Sequence, residues 1–270
     1  MYRSGESSSG AIDTSRPHSA RLYDYYLGGK DWYPIDQETA EQVKKVFPAA
    51  ETFARANRDF MHRATRTLAA EHGIRQFVDI GTGIPTEPNL HQVAQCEAPE
   101  SRVVYADHDP TVLEYAEVLM RSTPEGRTAY IQADVRHDSI LDAPQLREVL
   151  DLERPVALSL VALLHFVTDE DEPYDLVRGL VDRLPAGSFL VLSHVTPEFA
   201  PEMIGRAIDI YDKAGTPAQV RPRHEVARFF EGLELLEPGL VLAHRWRPDE
   251  PSELTDAQVS CYAGVARKPA

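Results

Sequence analysis

From Ile74 onward the chain alternates short apolar runs with longer amphipathic stretches, and that rhythm leaves few architectures open. The runs are Gln76-Phe77-Val78-Asp79-Ile80, Arg102-Val103-Val104-Tyr105-Ala106, Thr128-Ala129-Tyr130-Ile131-Gln132, Pro155-Val156-Ala157-Leu158-Ser159-Leu160 and Ser188-Phe189-Leu190-Val191-Leu192-Ser193. Most are nearly continuous in apolar residues, as strands covered on both faces must be. Between them the pattern predicts helices over residues 86–94, 111–120, 145–150 and 174–184. Repeated strand–helix units of this kind build a parallel sheet with helices on both faces. Two further apolar runs, 239–246 and 260–266, are separated only by the polar loop 247–258. That loop is too short for a helical crossover, so the two runs are expected to form an antiparallel hairpin. The expected fold class is α/β, a Rossmann-like, seven-stranded, mostly parallel sheet with an antiparallel C-terminal hairpin.

Two segments lie outside the alternation. Residues 16–72 read as a helical N-terminal cap, most clearly over 36–46 and 50–70, and residues 197–232 read as two helices around the break Gly215-Thr216-Pro217. Both are expected to fold over the strand ends, where ligands bind in open α/β sheets. Residues 1–15 are polar, lack the apolar stretch of a secretory signal and are expected to be a disordered tail. The expected division is therefore tail 1–15, cap 16–72 and core 73–270. No run of 18 apolar residues occurs, and the two cysteines, Cys96 and Cys261, suggest neither a disulfide framework nor a metal site. A cytoplasmic location is the expectation, with no membrane partner. A formal net charge of −15 repels phosphate backbones, so nucleic acid is not an expected partner and a small molecule is the better one.

Three of the strands end in an acid. Asp79 closes the first, and Gly81-Thr82-Gly83 follow it. Glycines there let the backbone turn sharply and a ligand approach it closely. The third glycine of a dinucleotide fingerprint, expected at Thr86, is missing, and Asp79 would repel a diphosphate but suits an ammonium or hydroxyl donor. Asp107 ends the second strand 24 positions after Gly83, near the spacing of about 20 at which Rossmann sites place a ribose-binding acid. His108 adjoins it, and Asp109-Pro110 reads as a helix start. Asp134 lies just past the third strand, where it can accept from an adenine amino group while the Val135 N–H donates to a ring nitrogen. After the fourth strand, Ala162-Leu163-Leu164-His165-Phe166 lie where an acceptor pocket opens. His165 there is either a general base or a side chain packed beside the cofactor. In the stretch 21–30, Arg21, Tyr23 and Lys30 either bind a carboxylate or belong to a segment that fixes the cap to the core, and Arg55, Asn57 and Arg58 pose the same choice.

Together these residues resemble the class I S-adenosylmethionine-dependent methyltransferases. More narrowly they resemble a bacterial family of about this length, formerly known only as a domain of unknown function. The likeness is carried by Pro17-His18-Ser19-Ala20-Arg21-Leu22-Tyr23-Asp24-Tyr25-Tyr26-Leu27-Gly28-Gly29-Lys30-Asp31, by Arg55-Ala56-Asn57-Arg58, by Asp79-Ile80-Gly81-Thr82-Gly83-Ile84-Pro85-Thr86 and by Leu192-Ser193-His194. Near the end it continues in Phe229-Phe230-Glu231-Gly232-Leu233, Glu237-Pro238-Gly239-Leu240-Val241 and Trp246-Arg247-Pro248, so it spans residues 16–268. The resemblance implies the fold and S-adenosylmethionine as methyl donor, held through Asp79, Gly81, Gly83, Asp107 and Asp134. Proline at position 85 departs from the wider D-x-G-x-G-x-G loop. The candidate cofactor residues are thus Asp79, Gly81, Thr82, Gly83, Asp107, His108, Asp134, Val135, Ala162, Arg21 and Lys30, with His165 and Tyr23 as residues that orient or deprotonate the acceptor. Two other readings stay open: a non-enzymatic sensor of the same cofactor, and an NAD-dependent oxidoreductase, which Asp79, the missing glycine and the hairpin disfavour.

Overall fold

The computed structural model describes residues 14–112 and 121–270. Helices α1 (Ser19–Leu27), α2 (Pro34–Val46) and α3 (Ala50–Ala70) precede β1 (Gln76–Ile80), α4 (Leu90–Glu97), β2 (Arg102–Asp107) and β3 (Arg127–Gln132). Then come α5 (Pro144–Val149), β4 (Ala157–Val161), α6 (Pro173–Asp182), β5 (Phe189–Val195), α7 (Pro201–Lys213) and α8 (Arg223–Arg228). The chain ends in β6 (Glu234–Leu235), β7 (Val241–Leu242), α9 (Asp256–Val259) and β8 (Cys261–Arg267). Most of the tail and of the helix expected over 111–120 lies outside the described residues. The start of that helix is visible: Asp109 Oδ1 accepts from the Thr111 N–H at 2.8 Å, the capping role read for it.

Strands β1 to β5 pair in parallel in the order β3-β2-β1-β4-β5, and β8 then pairs antiparallel with β5 from Phe189–Arg267 to Val195–Cys261. The expected hairpin is there, but of its first arm only Val241-Leu242 pairs with β8, and a further short strand, Glu234-Leu235, pairs with β8 ahead of the expected arm. Pro238 between the two has no N–H to donate, and Gly239 turns with φ 85°. The sheet therefore counts eight strands among the described residues instead of seven. A 3₁₀ turn at Ala243–Arg245 follows β7 and drops Trp246 into the core, edge-on to Phe60 with ring centres 5.5 Å apart.

Strand order reverses between β1 and β4, so the crevice outside their C-terminal ends is the place for a ligand. Register sets Asp79 beside Ser159 of β4 and Tyr105 of β2 at that crevice. One apolar cluster fills the sheet face that includes Val78, Val104, Leu158 and Leu190, and a second fills the opposite face with Phe77, Val103, Val191 and α3 residues Phe60, Ala64 and Leu68. A third joins Leu22 and Tyr26 of α1, Val43 of α2, Ala54 of α3 and Ile204 and Ala207 of α7. Helix α3 is thus a cap element at its start and a sheet-covering helix along the rest. Arg63 ties it to the C-terminal region by donating to the carbonyls of Trp246 at 2.9 Å and Ala243 at 2.7 Å. Among the described residues no helix is long and apolar enough to cross a membrane, and no group of three His, Cys or acidic residues is placed to hold a metal.

Candidate active site

The turn after β1 is fastened to the end of β2. Gly81, at φ 74°, donates its N–H to the Ala106 carbonyl at 2.8 Å, and a Cβ there would lie 2.7 Å from Leu163 Cδ1. Gly83, at φ 66°, donates to Asp107 Oδ2 at 2.8 Å. Only glycine satisfies both the backbone angle and the close approach at position 81. No helix follows at once. The helix expected from residue 86 begins at Leu90, where Asn89 caps it and takes the Gln92 side chain on its own N–H at 2.6 Å. Pro85 and Pro88 hold the intervening residues out of the helical region. A diphosphate site needs a glycine turn that runs straight into a helix N-terminus; residues 84–89 separate the two here. Arg58 and His62 of α3 prop this loop, Arg58 donating to the Thr86 and Pro88 carbonyls and His62 Nε2 lying 2.9 Å from the latter.

The three strand-end acids open onto two adjoining lobes. Asp79, Thr82, Gly83 and Ala162 line the first, a cavity of about 190 Å³. Asp134 and Val135 line the second, of about 460 Å³. Gly81, Asp107, His108 and Leu163 belong to both and form the shared wall. Burial pushes the Asp79 carboxyl up to about 6, with the Asp107 charge acting in the same direction and the Ser159 hydroxyl and Arg58 opposing it. Asp107 is 5% exposed and accepts from the N–H groups of Gly83 and Asp109, which leaves lone pairs on both oxygens. Hydrogen bonds from Arg136 hold Asp134 down at about 2, the shortest of them 2.6 Å from Nη2.

Residues 19–27 are helix, and the Gly-Gly pair ends it. Gly28 is left-handed, while Gly29 passes so close to the Asp24 carboxylate that a Cβ would overlap it. Lys30, expected near a ligand carboxylate, is exposed and lines neither lobe, because that turn carries it outward. Arg21 reaches the second lobe, but its Nε donates to buried Asp36 at 2.8 Å and its Nη2 to the Arg16 carbonyl at 2.6 Å. Its charge is committed to holding α1 on α2. Tyr23 lines the first lobe with its hydroxyl spent: it donates to the Ala54 carbonyl at 3.0 Å and accepts from Asn57 at 2.8 Å. Burial raises it to about 12, so it stays a neutral phenol and cannot serve as the deprotonating group read for it.

His165 sits on the 3₁₀ turn Leu164–Phe166 after β4, 8% exposed, and lines the first lobe. Burial, then the neighbouring His194 and Arg221, hold it well below the usual imidazole range, so it is neutral near pH 7. Its Nδ1 has no hydrogen-bond partner. Arg221, fully buried, braces the turn by donating to the carbonyls of Leu164 at 3.0 Å and Val167 at 3.1 Å. Ala162 takes the left-handed φ of 56°, held by its N–H bond to Ser193 Oγ at 2.9 Å. Ser193 in turn donates to Asn57 Oδ1 at 2.5 Å. Asn57 thus links α1, α3 and the end of β4 from a fully buried position. Its signal in the sequence was a polar residue on the apolar stripe of α3. Arg58 is another residue the sequence left undecided. It lines the first lobe within electrostatic reach of Asp79, and its Nε is buried without a partner. His18 lines both lobes, with Nδ1 3.0 Å from Asp109 and Nε2 3.2 Å from His108 Nε2.

Comparison with known proteins matches this geometry to a family. The profile of the S-adenosyl methyltransferase family covers residues 5–269. A DUF574 family protein from Streptomyces avermitilis MA-4680, of solved structure, is 54% identical with a TM-score of 0.94, over 96% of this chain and 100% of that one. A protein from Thermobifida fusca YX, whose proposed activity is methyl transfer, is 37% identical with a TM-score of 0.90, over 97% and 98%. The plantazolicin methyltransferase BpumL, solved with S-adenosylhomocysteine, shares the fold at 10% identity and a TM-score of 0.51, over 92% and 95%. No curated protein matches the chain. By its near-full-length profile match and its 54% identical relative, the chain belongs to the S-adenosyl methyltransferase family, formerly DUF574, whose methyl donor is S-adenosylmethionine.

Proposed function

We propose that the protein is an enzyme that methylates a small-molecule acceptor, with S-adenosylmethionine held along the ends of β1, β2 and β3. One observation carries this reading: Asp79, Asp107 and Asp134 open onto lobes that share a wall, and a single ligand suits all three. Asp79 beside Arg58 suits an amino acid, its ammonium on the carboxylate and its carboxylate on the unpartnered Arg58 Nε. Asp107 keeps acceptor positions for a ribose diol. Asp134 and the Val135 N–H suit an adenine edge, sharing Asp134 with Arg136. Gly81, Thr82 and Gly83 allow close backbone approach, and His108 and Ala162 complete the walls.

When bound, the cofactor supplies an already activated methyl group. The chain's task is then to align the acceptor and exclude water. The first lobe continues past Asp79 beneath α2 and α7, and a protein that only sensed the cofactor would need no such room. Calorimetric titration tests the reading. S-adenosylhomocysteine should bind one to one and NADH not at all, and Asp107→Ala should weaken the first by tenfold or more. NADH binding, or an Asp107→Ala protein with unaltered affinity, would contradict it.

A further inference from the structure

The far wall of the first lobe is built by elements added to the sheet. Val43 comes from α2, Phe47 from the residue just past its end, Ala50 from the start of α3, and Ile204, Ala207 and Ile208 from one stripe of α7. None of these six side chains carries a charge. Facing them is a polar atom with nothing to bond. His165 is 8% exposed, and its Nδ1 has no hydrogen-bond partner. The hydroxyls of Tyr26 and Tyr211, at the same lobe, pair with each other. A buried polar group left unpaired is costly, and one at an apolar cavity points to a ligand that pairs it.

We propose that the methyl acceptor is an uncharged, ring-bearing molecule with an acidic hydroxyl, a phenol or enol, whose ring lies on the Phe47 and Ile204 wall and whose O–H faces His165. This rests on the methyltransferase reading above. A carboxylate acceptor would find no free cation among the described residues of that wall, since Arg58 stands at the Asp79 end and is matched to the cofactor. An ammonium acceptor would be drawn to Asp79, which the cofactor's own ammonium claims. Burial makes this imidazole a weak base, so of the neutral hydroxyls the more acidic phenol or enol suits it better than an aliphatic alcohol. In the transfer the acceptor oxygen bonds to the methyl carbon while the carbon–sulfur bond breaks and leaves its electron pair on sulfur. The hydroxyl proton passes to His165 and from there to water. One positive charge disappears at sulfur as one appears on the imidazole, so the buried site never gains net charge.

The test is direct binding in saturating S-adenosylhomocysteine, with 1-naphthol, 1-methoxynaphthalene and 1-naphthoate as probes. The proposal expects 1-naphthol to bind saturably and at least tenfold more tightly than 1-naphthoate. It expects His165→Phe to weaken 1-naphthol about five- to tenfold, the loss of one hydrogen bond, with 1-methoxynaphthalene within twofold of its wild-type affinity. Ile208→Glu should weaken both neutral probes more than tenfold. Retained S-adenosylhomocysteine affinity certifies that each variant is folded. Tighter binding of 1-naphthoate, no saturable 1-naphthol binding, or an equal effect of His165→Phe on both neutral probes overturns the proposal while leaving the cofactor reading intact. Failure of the wild type to bind S-adenosylhomocysteine overturns both.

Discussion

Asp79 sets stability against binding in a single side chain. Its carboxyl sits at about 6 in the folded chain against an ordinary 3.8, chiefly through burial. A raised folded value means that the native state holds the proton more tightly than the unfolded chain does. Between pH 3.8 and 6 stability therefore falls as pH rises, and above 6 the ionised group opposes folding by about 3 kcal/mol. Asp79→Asn should raise the unfolding free energy of the ligand-free protein at pH 7.5 by about that much, and the gain should vanish as pH drops toward 4. The same variant should lose most of its affinity for S-adenosylhomocysteine. Wild-type affinity should fall below pH 6, approaching tenfold per unit, because the ammonium partner must be ionised. A denaturation series and a titration series over pH 4.5–8 check both, and a destabilised Asp79→Asn protein would contradict the first. At this scale the gathering of Asp79, Asp107 and Asp134 at one crevice was legible, since the C-terminal ends of neighbouring parallel strands meet there. Lys30, Tyr23 and Asn57 were not. Their roles depend on where Gly29 turns and on partners 34 and 136 residues away.

Among the elements, α1 depends on one buried ion pair. Arg21 is 2% exposed and Asp36 fully buried, and Asp36 also accepts from the N–H groups of His18 and Tyr33 at 2.9 Å each. Removing the arginine leaves a buried carboxylate short of its cation. Arg21→Ala should cost about 3 kcal/mol in urea unfolding, and Arg21→Ala with Asp36→Asn together should cost less than the single change. Additive effects would show that the pair is not coupled. The long helices α2 and α3 and the strands were readable from their periodicity. The short ones were harder: α1 is cut off by glycines that resemble a loop, and α4 starts late because two prolines precede it. The short strand β6 lies ahead of the expected arm and was not read, and Pro238, whose missing N–H the apolar pattern alone does not register, separates it from β7.

On the scale of the whole molecule, the sheet fixes the cofactor end of the site and the added helices fix the acceptor end. Strand order places the crevice, and α1, α2 and α7 roof it, their apolar stripes meeting over Val43, Ile204 and Ala207. The strand alternation foretold the crevice because parallel topology follows from local pattern. The roof was foretold only as two helical segments, since which stripe meets which is decided by packing across more than 150 residues of chain. His18 of the cap contacts Asp109 and His108 across the wall shared by the lobes, so cap and sheet close on one another at the cofactor. The central claim is that one cofactor runs along three strand ends, and a crystal structure with S-adenosylhomocysteine tests it most directly. The adenine should lie against Asp134 and Val135, the ribose on Asp107, the amino acid between Asp79 and Arg58, and the sulfur toward His165. Adenine in the apolar lobe, or a ligand touching fewer than two of the three aspartates, would contradict it.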